Sequence, residues 1–156
     1  MKSLTMLLVA LVAVVAPVFG AFSERRLESE KKDAEAKGKG VAFFFTQDYD
    51  PTSRDPNHRT DVDSNNNAMK KAIPRKYVNV IDIDPQETRG LDKIPLCVQK
   101  AMKGKPQLIV TDAACEKVLA ILDGRPDRKK AADFEIKVVA ALEGRPDPTK
   151  DGKKDK

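Results

Sequence analysis

Two groups of side chains in this sequence have types and spacings that could do chemistry. The first follows the apolar run VAFFF (Val41–Phe45). There the stretch FTQDYDPTSRD carries Asp48, Asp50, Ser53 and Asp55, and the only histidine, His58, comes shortly after. Paired carboxylates serve acid–base work, and a hydroxyl beside an imidazole can act as a nucleophile. A hydrolase would therefore use Asp50, Ser53 and His58. These residues lack a G-x-S-x-G turn, however, and Asp before Pro is ordinary turn chemistry, so the turn reading takes precedence. Further on, Asp61-Val62-Asp63-Ser64-Asn65-Asn66-Asn67 sets oxygen atoms at alternate positions, like the start of a D-x-D-x-N calcium loop. Asp61, Asp63 and Asn65 are its candidate metal ligands. Position six is Asn66 instead of Gly and position twelve is Ala72 instead of Glu, so the bidentate carboxylate is missing. A solvated polar loop is the plainer reading.

The second group is the two thiols, Cys97 and Cys115. They do not form a C-x-x-C, and with one histidine in the chain a Cys/His metal centre is not expected. A disulfide between them would close a loop of about 17 intervening residues, for ~3 kcal/mol on the chain-entropy model. Set against this, Cys97 falls within an apolar helix and reads as a small buried hydrophobe. The expectation leans to two free thiols.

These groups need elements to position them. SERRLESEKKDAEAKGK (Ser23–Lys39) reads as a solvated helix leading into the domain, with a thin apolar face of Leu27, Ala34 and Ala36 and a stop at Gly38 and Gly40. Val41–Phe45 has the content of a strand buried on both faces. Thr46–Asn67 reads as a long polar loop, followed by a helical turn or two at Ala68–Ala72 before Pro74. YVNVIDI (Tyr77–Ile83) is a second strand. IPLCVQKAM (Ile94–Met102) is a short helix with Pro95 in its first turn. PQLIVTD opens a third strand at Pro106, and EKVLAIL (Glu116–Leu122) returns as its hairpin partner. RKKAADFEIKVVAALEG is a helix with Ala132, Ile136, Val139 and Leu142 on one face and Phe134 and Val138 flanking. VLAILDGRPDRK recurs twenty residues later as VVAALEGRPDPT. Two copies in different contexts read as one stop signal used twice, not as a repeat fold.

The first twenty residues, MKSLTMLLVALVAVVAPVFG, carry a short basic start, an apolar core, a breaking Pro17 and the small residues Val18 and Gly20. That is the pattern of a cleavable signal peptide, and the apolar core is too short to span a bilayer comfortably. The expected organisation is a signal peptide over 1–20, a charged helical lead-in over 21–40, one domain over 41–144 and a charged tail over 145–156. The mature chain has about 136 residues, enough for one small domain. Removing Lys2 lowers the net charge by one, from +5 to +4. Much of that excess lies in the tail PTKDGKKDK, and aromatics make up only 5 %. A nucleic-acid partner, which wants a basic stripe with stacking aromatics, is therefore not expected. The expected product is secreted or periplasmic, with no membrane attachment after cleavage and no cofactor.

The order of these elements, an α/β class, resembles the thioredoxin fold. VAFFFTQDYDPTS resembles the first central strand and the turn that carries that family's active site. YVNVIDIDP resembles the second central strand with its closing acid. GKPQLIVTD followed by CEKVLAILDG resembles the cis-proline segment, its hairpin and the glycine after it. The resemblance implies a three-layer α/β/α sandwich around a mixed sheet of about four strands. It also places the family's C-x-x-C on Asp50-Pro51-Thr52-Ser53. Asp50 and Ser53 stand where thiols attack and resolve disulfides, and neither can do so. The resemblance thus implies a thioredoxin-like domain without dithiol redox activity, with Pro106 at the cis-proline position that helps hold extended substrate. Its implied binding residues are Asp48, Tyr49, Asp50, Pro51, Ser53, Lys105 and Pro106, and the partner class is a polypeptide. A hydrolase or metal enzyme built on the acidic stretch 48–65, or an atypical thiol protein using Cys97 or Cys115, are the alternatives.

Overall fold

A computed structural model describes residues 22–84 and 90–149. The expected signal peptide, the connection over 85–89 and the end of the charged tail lie outside the described residues. The elements run α1 (Glu24–Lys37), β1 (Gly40–Phe45), α2 (His58–Ala72), β2 (Val78–Ile83), a 3-10 turn (Leu91–Lys93), α3 (Leu96–Ala101), β3 (Gln107–Thr111), β4 (Val118–Asp123) and α4 (Arg128–Leu142).

The strands form one mixed sheet in the order β2-β1-β3-β4. β1 pairs parallel with β2 and antiparallel with β3, and β3 and β4 form a hairpin. β1 and β3 are central, which is why both are buried along their whole length and read as continuous apolar runs. Side chains alternate across the pleat. Val41, Phe43 and Phe45 enter one core with Leu27 and Ala34 of α1 and Val98 of α3. Ala42 and Phe44 enter the other with Met69 and Ala72 of α2 and Phe134 and Val138 of α4. Two helices on each face make a three-layer α/β/α sandwich, an arrangement consistent with a thioredoxin-like sandwich. The Lys105–Pro106 peptide is cis.

Four expectations need correction. α1 is not a solvated lead-in: Leu27 is 6 % exposed and Ala34 fully buried against the sheet. Asn79 of β2 also donates to the Glu30 carbonyl at 3.2 Å and to the Asp33 carboxylate at 2.8 Å. A thin apolar face suffices because the sheet beneath supplies Val41, Phe43 and Ile81.

The polar stretch 46–67 is not all loop, because α2 begins at His58. Its Ser and Asn residues are weak helix formers. The helix is held by tertiary contacts at Val62, Met69 and Ala72, which are buried.

α4 turns a different face inward. Phe134 and Val138 are buried, whereas Ala132 and Ile136 are exposed, Ile136 by 48 %. Phe134 packs in the core with Leu108, Val110, Ala120 and Leu122, and Leu142 is partly buried against the same core, so of the expected stripe it is Ala132 and Ile136 that face outward.

β4 begins at Val118, not Glu116, because Asp112 turns the chain first. Its carboxylate accepts the amides of Glu116 and Lys117. The doubled G-R-P-D acts as a stop signal in both places: Gly124 ends β4 and Gly144 follows α4, each with φ near the left-handed value, +66° and +67°.

Candidate functional site

Chain leaving β1 must cross the top of the sheet, and three tethers fix its path. Thr46 donates both its amide and its hydroxyl to the Ile83 carbonyl at the end of β2, at 3.3 and 3.2 Å. Gln47 is clamped by Asn66 of α2: its amide donates to Asn66 Oδ1 and its carbonyl accepts from Asn66 Nδ2, both at 2.9 Å. Asn65 Nδ2 adds a bond to Gln47 Oε1 at 3.4 Å.

Beyond Gln47 the chain is exposed and held by its own polar groups. The Asp48 carboxylate accepts the Tyr49 amide. Asp50 Oδ1 accepts both the hydroxyl and the amide of Thr52, at 2.7 and 2.8 Å. Those bonds, the hydroxyl's first, hold the Asp50 carboxyl below its ordinary range. The Asp50 amide donates to His58 Nε2 at 3.0 Å, and the Tyr49 ring lies tilted against the imidazole with centroids 5.4 Å apart.

This geometry decides among the candidate chemistries. His58 Nε2 is occupied by a backbone donor, and Ser53 Oγ accepts the Asp55 amide at 3.3 Å. Neither bonds the other, so no nucleophile–base pair is assembled there. Asp61, Asp63 and Asn65 lie on α2, where a residue two positions on points across the helix. Asp63 therefore faces away from Asp61 and Asn65, so the candidate calcium-loop pattern is not a loop here. No group of three or more His, Cys, Asp or Glu side chains among the described residues is arranged to hold a metal ion.

Next to this turn the end of β1 and the start of β3 meet, with Phe45 opposite Gln107. A groove of about 280 Å³ opens there, lined by Phe45, Met102, Lys103, Gly104 and Lys105. Its floor is apolar and its lysines are exposed at the rim. Of the expected binding residues, the groove contains Lys105. Pro106 is buried behind it, and Asp48, Tyr49, Asp50, Pro51 and Ser53 lie on the adjoining turn without lining it.

The residue that shapes the groove was not among those expected. Gln107 is 1 % exposed. Its Nε2 donates to the Ala101 carbonyl at 3.2 Å and to Asp123 Oδ1 at 2.6 Å, and its Oε1 accepts the Lys103 amide at 3.2 Å. It braces the 101–105 segment from below. The available signal was a polar side chain opening the strand QLIVT ahead of its apolar run Leu108–Val110.

The two cysteines come close, although they lie on separate elements. Cys97 Sγ lies 3.2 Å from the Cys115 carbonyl oxygen and donates to it. Both are free, in line with the lean of the sequence; Cys115 is buried, whereas Cys97, expected as a small buried hydrophobe, is only partly so. Burial pushes the Cys115 thiol up to about 11 and raises Cys97 as well.

Comparison of the chain with known protein families, with curated proteins and with solved structures returned no match. No helix among the described residues is long and apolar enough to cross a membrane.

Proposed function

We propose that this chain is an exported, thioredoxin-like binding module without disulfide-exchange activity at its sheet-end turn, and that it holds an extended polypeptide in the groove between Phe45 and Lys105. The observation that carries this reading is the groove itself: an apolar floor of Phe45 and Met102 at the ends of the two central strands, rimmed by Lys103 and Lys105. Such a site takes an apolar side chain whose neighbours carry carboxylates. The Asp50-Pro51-Thr52-Ser53 turn beside it offers no thiolate, so a bound chain would be held and not oxidised or reduced. A nucleic-acid partner and a catalytic role are not part of the proposal.

The test is titration of the purified protein with extended peptides carrying Leu or Phe between acidic residues. Met102→Asp places a charge on the apolar floor and is expected to weaken binding by tenfold or more, at least ~1.4 kcal/mol. Lys105→Glu is expected to weaken it less and to abolish most of its salt dependence. Unchanged affinity in Met102→Asp would refute the groove as the binding site. Turnover in an insulin-reduction assay would refute the inactive turn.

A further inference from the structure

We propose that Cys97 and Cys115 form an oxidisable pair that closes an intramolecular disulfide by exchange with a disulfide donor, either a small-molecule disulfide or an oxidised dithiol protein. The inference does not depend on peptide binding in the groove.

The pair is brought together by two separate elements. Cys97 stands on the second residue of α3, and Cys115 closes the turn between β3 and β4. The Cys97 thiol already rests on the backbone of Cys115, 3.2 Å from its carbonyl oxygen. The Cys115 sulfur sits beside Thr111, whose hydroxyl is 3.5 Å away. That hydroxyl has other acceptors at shorter range, the carbonyls of Asp112 at 3.0 Å and Val41 at 3.2 Å. Rotation of the Cys115 side chain toward Cys97 therefore leaves Thr111 satisfied. Cys115 also has φ +59°, the only non-glycine residue with positive φ among the described residues. Glycine or asparagine is the usual occupant of such a turn position, so a cysteine there is held against its local preference.

The chemistry balances as two exchanges. The partly exposed Cys97 attacks the donor first; its thiolate forms a mixed disulfide and releases one donor thiol. The Cys115 thiolate then attacks the Cys97 sulfur and releases the second donor thiol. Two protein thiols are oxidised, one donor disulfide is reduced to two thiols, and the protons pass to those products. Cys115 is the slower thiol. Burial withholds its thiolate, Asp112 and Cys97 oppose ionisation, and Lys31 of α1 and the Thr111 hydroxyl favour it.

The experiment is incubation of the reduced full-length protein with oxidised glutathione at pH 8, followed by alkylation under denaturing conditions and mass spectrometry. The expected result is a monomer two hydrogens lighter, without label, whose digest contains Cys97 joined to Cys115. Cys115→Ser is expected to accumulate a glutathione adduct on Cys97, whereas Cys97→Ser stays unmodified because Cys115 is buried. Two labelled thiols in the wild-type protein, a persistent glutathione adduct on it, or a disulfide-linked dimer would each overturn the proposal.

Discussion

Replacing Leu27 by Ala tests whether α1 belongs to the domain. Leu27 is 6 % exposed in the core it shares with Phe22, Ala34, Val41 and Phe43. Truncation of a buried leucine costs about 2–5 kcal/mol, the spread reflecting how far the surroundings settle into the gap. Leu27 lies in the first turns of α1, beside Phe22 at the edge of the core, so partial collapse is available and the lower half applies, about 2–3 kcal/mol. For a domain of this size that lowers the melting temperature by about 10 °C. The assay is thermal and urea unfolding followed by far-UV circular dichroism. Leu96→Ala is the control, because Leu96 is 62 % exposed and its loss is expected to stay within about 0.5 kcal/mol. If Leu27→Ala unfolds together with Leu96→Ala, α1 is a solvated appendage and the sandwich lacks one of its covering helices.

Asp127→Ala removes the cap of α4, where the carboxylate accepts the Lys130 amide at 2.7 Å, and is expected to cost ~1 kcal/mol in a urea melt. Gly40→Ala would drive a methyl to within 2.5 Å of the Thr111 carbonyl oxygen, a backbone atom of the neighbouring strand, and is expected to cost ~1–3 kcal/mol in the same measurement. Alkaline pH should destabilise the reduced protein. Desolvation raises the Cys115 thiol from 9.0 unfolded to about 11 folded, so the folded state keeps its proton longer; that stability is complete below 9 and is lost as pH rises towards 11. Cys115→Ala should flatten this limb of the melting-temperature profile, and an unchanged slope would refute the assignment. His58→Ala removes the acceptor of the Asp50 amide and should speed hydrogen exchange at that amide while leaving β1 protected.

The central strands were legible because burial on both faces leaves an unmistakable record: GVAFFF and QLIVT have no polar side to show apart from Gln107 and Thr111. The turn chemistry of Asp48–Asp55 was legible for the opposite reason, since Asp, Pro, Thr and Ser supply their own local hydrogen bonds. α2 was hidden because its sequence, HRTDVDSNNNAMKKA, argues against helix locally. Only the core that Met69 and Ala72 enter, the burial of Val62, and the Gln47–Asn66 clamp make it one. The inward face of α4 was ambiguous because apolar residues fall on two stripes, and only the sheet selects the one containing Phe134. Gln107's bracing bonds and the approach of Cys97 to Cys115 join elements distant in sequence, so no local pattern announces them.

The positions of the thiols bear on the reading of the groove. In the antiparallel pairing of β1 with β3, Phe45 lies opposite Gln107 and Val41 opposite Thr111. The groove is at the first of these pairs and Cys115 lies just past the second. Four residue steps along a strand are about 13 Å. A sulfur held over Phe45 is therefore beyond reach of either thiol by side-chain rotation, so the thiol pair is chemically separate from the groove. What connects the two ends is α3. It begins beside Cys115 and runs into Met102 in the groove floor and Lys103 at its rim. Bonding Cys97 would anchor the start of that helix while Gln107 holds its end. Oxidation should then act on groove affinity through the order of α3 alone. Its effect should disappear in Cys97→Ser, whereas Met102→Asp should weaken binding in both redox states.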